Sequence, residues 1–312
     1  SMGVHCHRSR SPVTGPQEAE AEVPQPGDGP RRARQCVGEA RSKRYAFGCR
    51  RGPVLLQAPT HADTPPRPTR RVAIALRHDQ GIVLRGYPFG EADRVVVLLS
   101  PNNGKLRTVA KGVRKTKSRF GGRLEPFSHV DLVLYEGRNL DTITQVTMIE
   151  PFHHLRADLD KVEAAGTMVE VADAVAQEDE SSIRLFLLLQ RGLRTIDVGD
   201  LHPDLVTAYL LKAADVVGVA AQLDQCAGCG RRDELTRFSF SAGGVLCERC
   251  RTAGAYALRP GLTAYMAQLA GAELGELPTV DDALSREAMG VARRFVEYHL
   301  ERKLQSLAVL DA

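Results

Sequence analysis

The sequence predicts an α+β protein, with a small five-stranded β-barrel first and then helices interrupted by a cysteine-rich module. Three observations carry this prediction. Five short segments with strand character fall within roughly seventy residues after Pro68. From His153 the apolar spacing changes from two to three and four. Two CxxC pairs then break the helical pattern late in the chain. Short strands with glycine-bearing turns favour a closed or nearly closed barrel, because closure removes exposed strand edges. By pattern alone an SH3-like barrel fits nearly as well.

The elements follow in order. Gly81 to Arg85 alternates, with Ile82 and Leu84 opposed to Val83 and Arg85. Arg94 to Leu99 is a β-branched and leucine run, and Asn102-Asn103-Gly104 is a hairpin turn restarting a strand over 104–113. Val130, Leu132 and Leu134 alternate with Asp131, Val133 and Tyr135, and Asp141 to Met148 is rich in Thr, Ile and Val. Helical stripes then run through Leu155, Leu159, Val162, Ala165, Val169, Ala172 and Val175. Further stripes run through Ile183, Phe186, Leu189, Leu193 and Ile196, and through Val206, Tyr209, Ala213 and Val217. Gly199 and Gly218 mark breaks between helices. Leu284, Ala288, Val291, Phe295 and Tyr298 mark a long C-terminal helix. Its polar side, with Arg286, Arg293, Arg294, Arg302 and Lys303 among acids, reads as a solvated face.

Residues 1–71 contrast with all of this. They hold 13 Lys+Arg against 6 Asp+Glu, many Pro and Gly, and no apolar period. Such a stretch cannot bury enough surface to offset its ordering entropy, so a disordered extension is expected. It has no apolar run long enough for a signal peptide or a spanning helix, so a cytoplasmic protein without membrane attachment is expected. The expected division is therefore an extension over 1–71, a barrel over 72–150, and a helical domain over 151–312 carrying a module at 224–253.

Charge is distributed unevenly. From Val72 to Ala312 there are 29 Lys+Arg against 32 Asp+Glu, yet Lys105 to Arg123 carries eight cations and no acid. These are Lys105, Arg107, Lys111, Arg114, Lys115, Lys117, Arg119 and Arg123. A single-sign cluster flanked by turn residues is the footprint of a polyanion surface, and phosphate backbones are its usual partner. Arg94, at the start of a strand beside it, joins this candidate DNA-binding set. The barrel also holds Tyr87, Phe89, Phe120, Phe127 and Tyr135. Barrels of the OB type bind single strands by pairing a cationic groove with aromatic stacking platforms. Most of these aromatics must fill the core. One or two are expected to be exposed, Phe120 among them because it sits inside the basic run.

Seven cysteines fall into two groups. Cys6, Cys36 and Cys49 lack metal-ligand spacing. Cys226, Cys229, Cys247 and Cys250 form two CxxC knuckles with seventeen residues between them, the spacing of a four-cysteine zinc site. A full thiolate shell leaves no position for water, so one structural Zn2+ is expected. Redox dithiols would need only one CxxC on a thioredoxin-like unit that is absent. No phosphate loop, GxGxxG, HExxH or GxSxG occurs, and no HxE precedes the cysteines. The helix-start pair His153-His154 reads as a polar cap. No enzyme is expected.

Several segments together carry a resemblance. Asp79-Gln80-Gly81-Ile82-Val83-Leu84, Gly90-Glu91-Ala92-Asp93-Arg94 and Ala110-Lys111-Gly112-Val113-Arg114-Lys115 are three of them. Arg119-Phe120-Gly121-Gly122-Arg123-Leu124-Glu125-Pro126-Phe127 and Tyr135-Glu136-Gly137-Arg138-Asn139-Leu140 are two more. In this order they resemble the bacterial recombination and repair family RecO. The resemblance implies an N-terminal OB-fold, a helical domain and an inserted zinc module. It also implies binding to single- and double-stranded DNA, strand annealing, and help in loading RecA onto strands coated with single-stranded-DNA-binding protein (SSB). The partners implied are RecR, the acidic C-terminal tail of SSB and, less directly, RecF and RecA, at the nucleoid. The residues alone leave open a transcriptional or translational regulator built on the same barrel and ribbon, and a zinc-dependent nucleic-acid enzyme, which a closed four-cysteine shell disfavours.

Overall fold

The computed structural model describes residues 76–306. The extension and its three cysteines lie outside the described residues. Five strands come first, β1 (Leu76–Phe89), β2 (Asp93–Ser100), β3 (Gly104–Ala110), β4 (His129–Tyr135) and β5 (Asp141–Glu150). They close into a barrel in the order β1-β2-β3-β5-β4. Every neighbouring pair is antiparallel except β3 and β5, which meet in parallel through Thr108↔Asp141 and Val109↔Thr142. β1 is long enough to pair with β2 at one end and β4 at the other, with a register shift between Val83 and Arg85 where it bends.

The β2 run explains how the barrel joins the helices. Val96 and Leu98 point inward, among Val83, Leu106, Leu132 and Ile143. Val97 and Leu99 point outward, into a second core shared with α1 (Leu159–Val175) and α2 (Ile183–Val198). Both faces of β2 are dry, which is why the strand reads as unbroken hydrophobicity and not as alternation. His129 sits at this junction, its ring between Glu150 Oε2 (3.1 Å) and Gln80 Oε1 (3.0 Å). Burial holds its pKa below the usual value, against the pull of Glu150.

α3 (Leu205–Val216) is the most enclosed helix, with Tyr209 fully buried, and α4 (Leu262–Gly271) and α5 (Asp282–Leu300) pack against it. Four residues expected in the core stripes are instead exposed, Leu159 at 72%, Ile183 at 53%, Tyr298 at 51% and Val217 at 38%. Leu159 and Ile183 open their helices, and Val217 and Tyr298 lie at the far ends of α3 and α5, where a turn projects beyond the neighbouring elements. The breaks are as expected, with Gly199 capping α2 and Gly218 adopting φ +84° after α3. Between α3 and α4 lies a three-stranded sheet in the order β7-β6-β8, made of β6 (Leu235–Ser239), β7 (Gly244–Cys247) and β8 (Tyr256–Ala257). Phe238 of this sheet packs edge-on against Phe295 of α5, 5.9 Å between ring centres.

Candidate nucleic-acid interface and metal centre

The basic run divides by its place in the fold. Lys105 and Arg107 lie on β3, and Arg94 opens β2. The other six occupy the connection from β3 to β4. That connection is fastened at both ends. At its start Asp93 Oδ1 accepts from the Gly112 backbone N–H (2.7 Å), and Arg114 N–H donates to Ala92 O (3.0 Å). Near its end a 3-10 turn over Gly121–Leu124 is held down by two side chains sunk into the barrel, Phe120 and Leu124.

Phe120 therefore corrects an expectation. It is 1% exposed and closes the barrel interior, so it offers no face to a base. Its charged surroundings say nothing about the ring, which faces the other way; Arg119 lies over it at 4.8 Å. Phe127 is also buried. The aromatic that is exposed near the cations is Phe89, at 49%. Arg85, Tyr87 and Phe89 alternate along β1, opposite Val97, Val95 and Asp93 of β2, which places them on one outer face. Arg107 of β3 reaches the same face and donates to the Tyr87 hydroxyl (3.2 Å). Arg85, with its guanidinium 5.7 Å from the Tyr87 ring, lies outside the basic run that the sequence singles out. Its only signal is the period-two placement of a cation and two aromatics.

The cations differ sharply in what they touch. Arg94 pairs with Glu125 (3.0 Å), Lys105 with Asp173 (3.5 Å) and Arg107 with Glu178 (3.7 Å). Lys111, Arg114, Lys115, Lys117, Arg119 and Arg123 are all exposed, and among the described residues none pairs with a carboxylate. Their positive field is left uncompensated at the end of the barrel.

The four late cysteines converge. Their sulfurs all lie within 4.8 Å of one another, and Cys229 and Cys247 Sγ are 3.8 Å apart. A tetrahedral zinc–thiolate shell with bonds near 2.3 Å has sulfur–sulfur edges of about 3.8 Å, so the donor set fits such an ion in kind and in spacing. Gly228 makes room for it. A Cβ there would sit 3.0 Å from Cys250 Cβ and 3.1 Å from its sulfur. Burial opposes ionisation of Cys226, but backbone N–H groups of Cys247, Gly228 and Cys229 bring its pKa down to about 6. Hydrogen bonding with Cys229 and Cys226 pushes Cys250 up to about 12. One sulfur is thus prepared as a thiolate, and a bound cation would take the remaining protons' place. His153 and His154 are exposed and take no part.

With this geometry in hand, the relatives become informative. The family described as recombination protein O N terminal matches residues 75–152, and recombination protein O C terminal matches residues 156–308. The chain belongs to the RecO family. It is 44% identical to the DNA repair protein RecO of Nocardioides sp., over 76% of this chain and 99% of the relative. It is 42% identical to that of Frankia casuarinae, over 75% and 97%, and 40% identical to that of Thermobifida fusca, over 76% and 99%. RecO membership agrees with the barrel-then-helix order and with the absence of a helix, among the described residues, long and apolar enough to cross a membrane. It places the chain in a DNA repair and recombination family.

Proposed function

We propose that this chain is a non-catalytic recombination mediator that binds single- and double-stranded DNA and anneals complementary strands. In this reading it helps load RecA onto SSB-coated DNA together with RecR and RecF, at the nucleoid in the cytoplasm. The observation that carries it is the set of six exposed cations between Lys111 and Arg123, which among the described residues pair with no carboxylate and are rooted on the barrel that also presents Tyr87 and Phe89. Phosphates take the cations and unstacked bases take the aromatic face. Arg94, Lys105 and Arg107 extend the track over β2 and β3. Phe120 acts from below, as the plug that shapes the connection.

The extension over 1–71, the barrel over 72–150 and the helical domain over 151–312 form the working division, with the module at 224–253 held by one structural Zn2+. The acidic SSB tail fits a groove of about 530 Å3 between α2, α3 and α4. Leu188, Leu211 and Leu274 give it an apolar floor, and its rim carries Arg184, Arg191 and Lys212 beside Asp215 and Glu273, which pair with the two arginines. An acidic tail would take the place of these two exposed carboxylates.

The test is strand annealing of complementary oligonucleotides without nucleotide, bare and SSB-coated. The protein should speed both reactions. Arg191→Ala with Lys212→Ala should slow only the coated one. Failure to anneal bare strands would overturn the reading.

A further inference from the structure

Two carboxylates, Asp173 and Glu178, hold three of the cations on the outer barrel face, while among the described residues the six beyond Ala110 pair with no carboxylate. We propose that residues 177–181, between α1 and α2, form an acidic strap that keeps Arg107 out of reach of DNA until phosphate displaces Glu178. This rests on the DNA surface proposed above and adds an order of engagement to it.

The strap is seated by backbone, not by chance side-chain contact. Lys105 N–H donates to Gln177 O (2.8 Å), Glu178 bridges to Gly104 and Lys105, and Ser181 Oγ donates to Pro101 O (2.9 Å). Gly104 permits it twice over. Its φ is +60°, and a Cβ there would collide with Glu180 O and lie 2.6 Å from Gln177 O. Asx chemistry fixes the turn beneath, since the buried Asp79 carboxylate accepts from Ser100 Oγ and Asn103 Nδ2, both at 2.7 Å. The strap therefore has one position on the barrel, and Glu178, Asp179 and Glu180 are all exposed along it.

The ion pairs made by the end of α1 and by the strap differ in strength. Asp173, in the last turns of α1, is 11% exposed and takes Arg85 at 2.7 Å and Lys105 at 3.5 Å, with Lys105 also donating to its carbonyl. That arrangement is sheltered and structural. Glu178 and Arg107 are 57% and 44% exposed and 3.7 Å apart. An open pair like this contributes about 0–1 kcal/mol, so an incoming phosphate can take its place. DNA would meet the free cations between Lys111 and Arg123 first, then Arg107 as Glu178 swings away.

The experiment measures binding of the full chain to oligothymidine by fluorescence anisotropy at three salt concentrations. Glu178→Gln should bind several-fold tighter at low salt. Its salt slope should stay near the parent's, because Arg107 meets phosphate in both bound states and only the cost of displacing Glu178 is gone. Glu178→Gln with Arg107→Ala should bind no tighter than Arg107→Ala alone. Asp179→Asn removes the same charge and frees no cation, so its affinity should stay close to the parent's. The proposal is overturned if Glu178→Gln binds like the parent, or if its gain survives Arg107→Ala or is equalled by Asp179→Asn. Arg114→Ala with Lys115→Ala, measured alongside, separates the two levels. Unchanged binding there overturns the DNA surface itself, whereas a loss there with no gain in Glu178→Gln overturns only the strap.

Discussion

The barrel and the cysteine module solve the same problem with different materials. Eleven buried apolar side chains fill the barrel interior. The module's own buried cluster is Cys226, Leu246 and Cys247, so two of its three members belong to the cysteine group that could hold a metal ion. The barrel stands on apolar volume, and its surface charge is free to serve a ligand. In the module, the atoms that would bind the ion are the atoms that hold the fold. Stability and function should separate in the first and coincide in the second.

The largest effect expected is therefore in the module. Cys250→Ser, or a strong chelator, should remove metal and lower the melting temperature together, because structural zinc contributes on the order of 10 kcal/mol to small thiolate folds. Metal analysis beside calorimetry checks this, and full stability in metal-free protein would break the contrast. Next is Phe120→Ala, expected to cost about 3–5 kcal/mol in denaturant unfolding as a buried ring is lost. If DNA binding fell with stability intact, the ring would be a stacking platform after all. Smaller in energy is Arg114→Ala with Lys115→Ala, which should reduce the salt slope by about one to two units and barely move the melting temperature. Filter binding at several salt concentrations sharpens the point that these charges do no folding. The smallest effect belongs to residues 1–70. Their deletion should leave annealing intact, with at most a weaker affinity whose loss is salt-sensitive.

What can be read in advance depends on how local its cause is. Asn102-Asn103-Gly104 announces its turn, and the two CxxC pairs announce their convergence, because each constraint lies within a few residues. The parallel closure of β3 on β5 has no such mark. It rests on two residue pairs brought together by the rest of the barrel. β1 is legible only at Gly81 to Arg85, since its ends are defined by partners elsewhere. α4 escapes a sequence reading because ten residues give too few turns to show a period between a ribbon and a loop. Phe120 misleads for a related reason. A run of cations tells which way the charges face and nothing about a ring that must plug the space below them. The strap, too, is invisible in the chain, where Glu178 and Arg107 stand seventy-one positions apart.

The two-sided burial of β2 has a consequence for motion. A strand whose inner face belongs to one core and whose outer face belongs to another cannot loosen in either without disturbing both. Its amides should be among the last to exchange with solvent, opening only when the barrel and helices come apart together. Strain delivered to the helical layer would reach Val97 and Leu99 directly, on the strand that separates Tyr87 of β1 from Arg107 of β3. β2 is the diaphragm between the barrel interior and the helical layer.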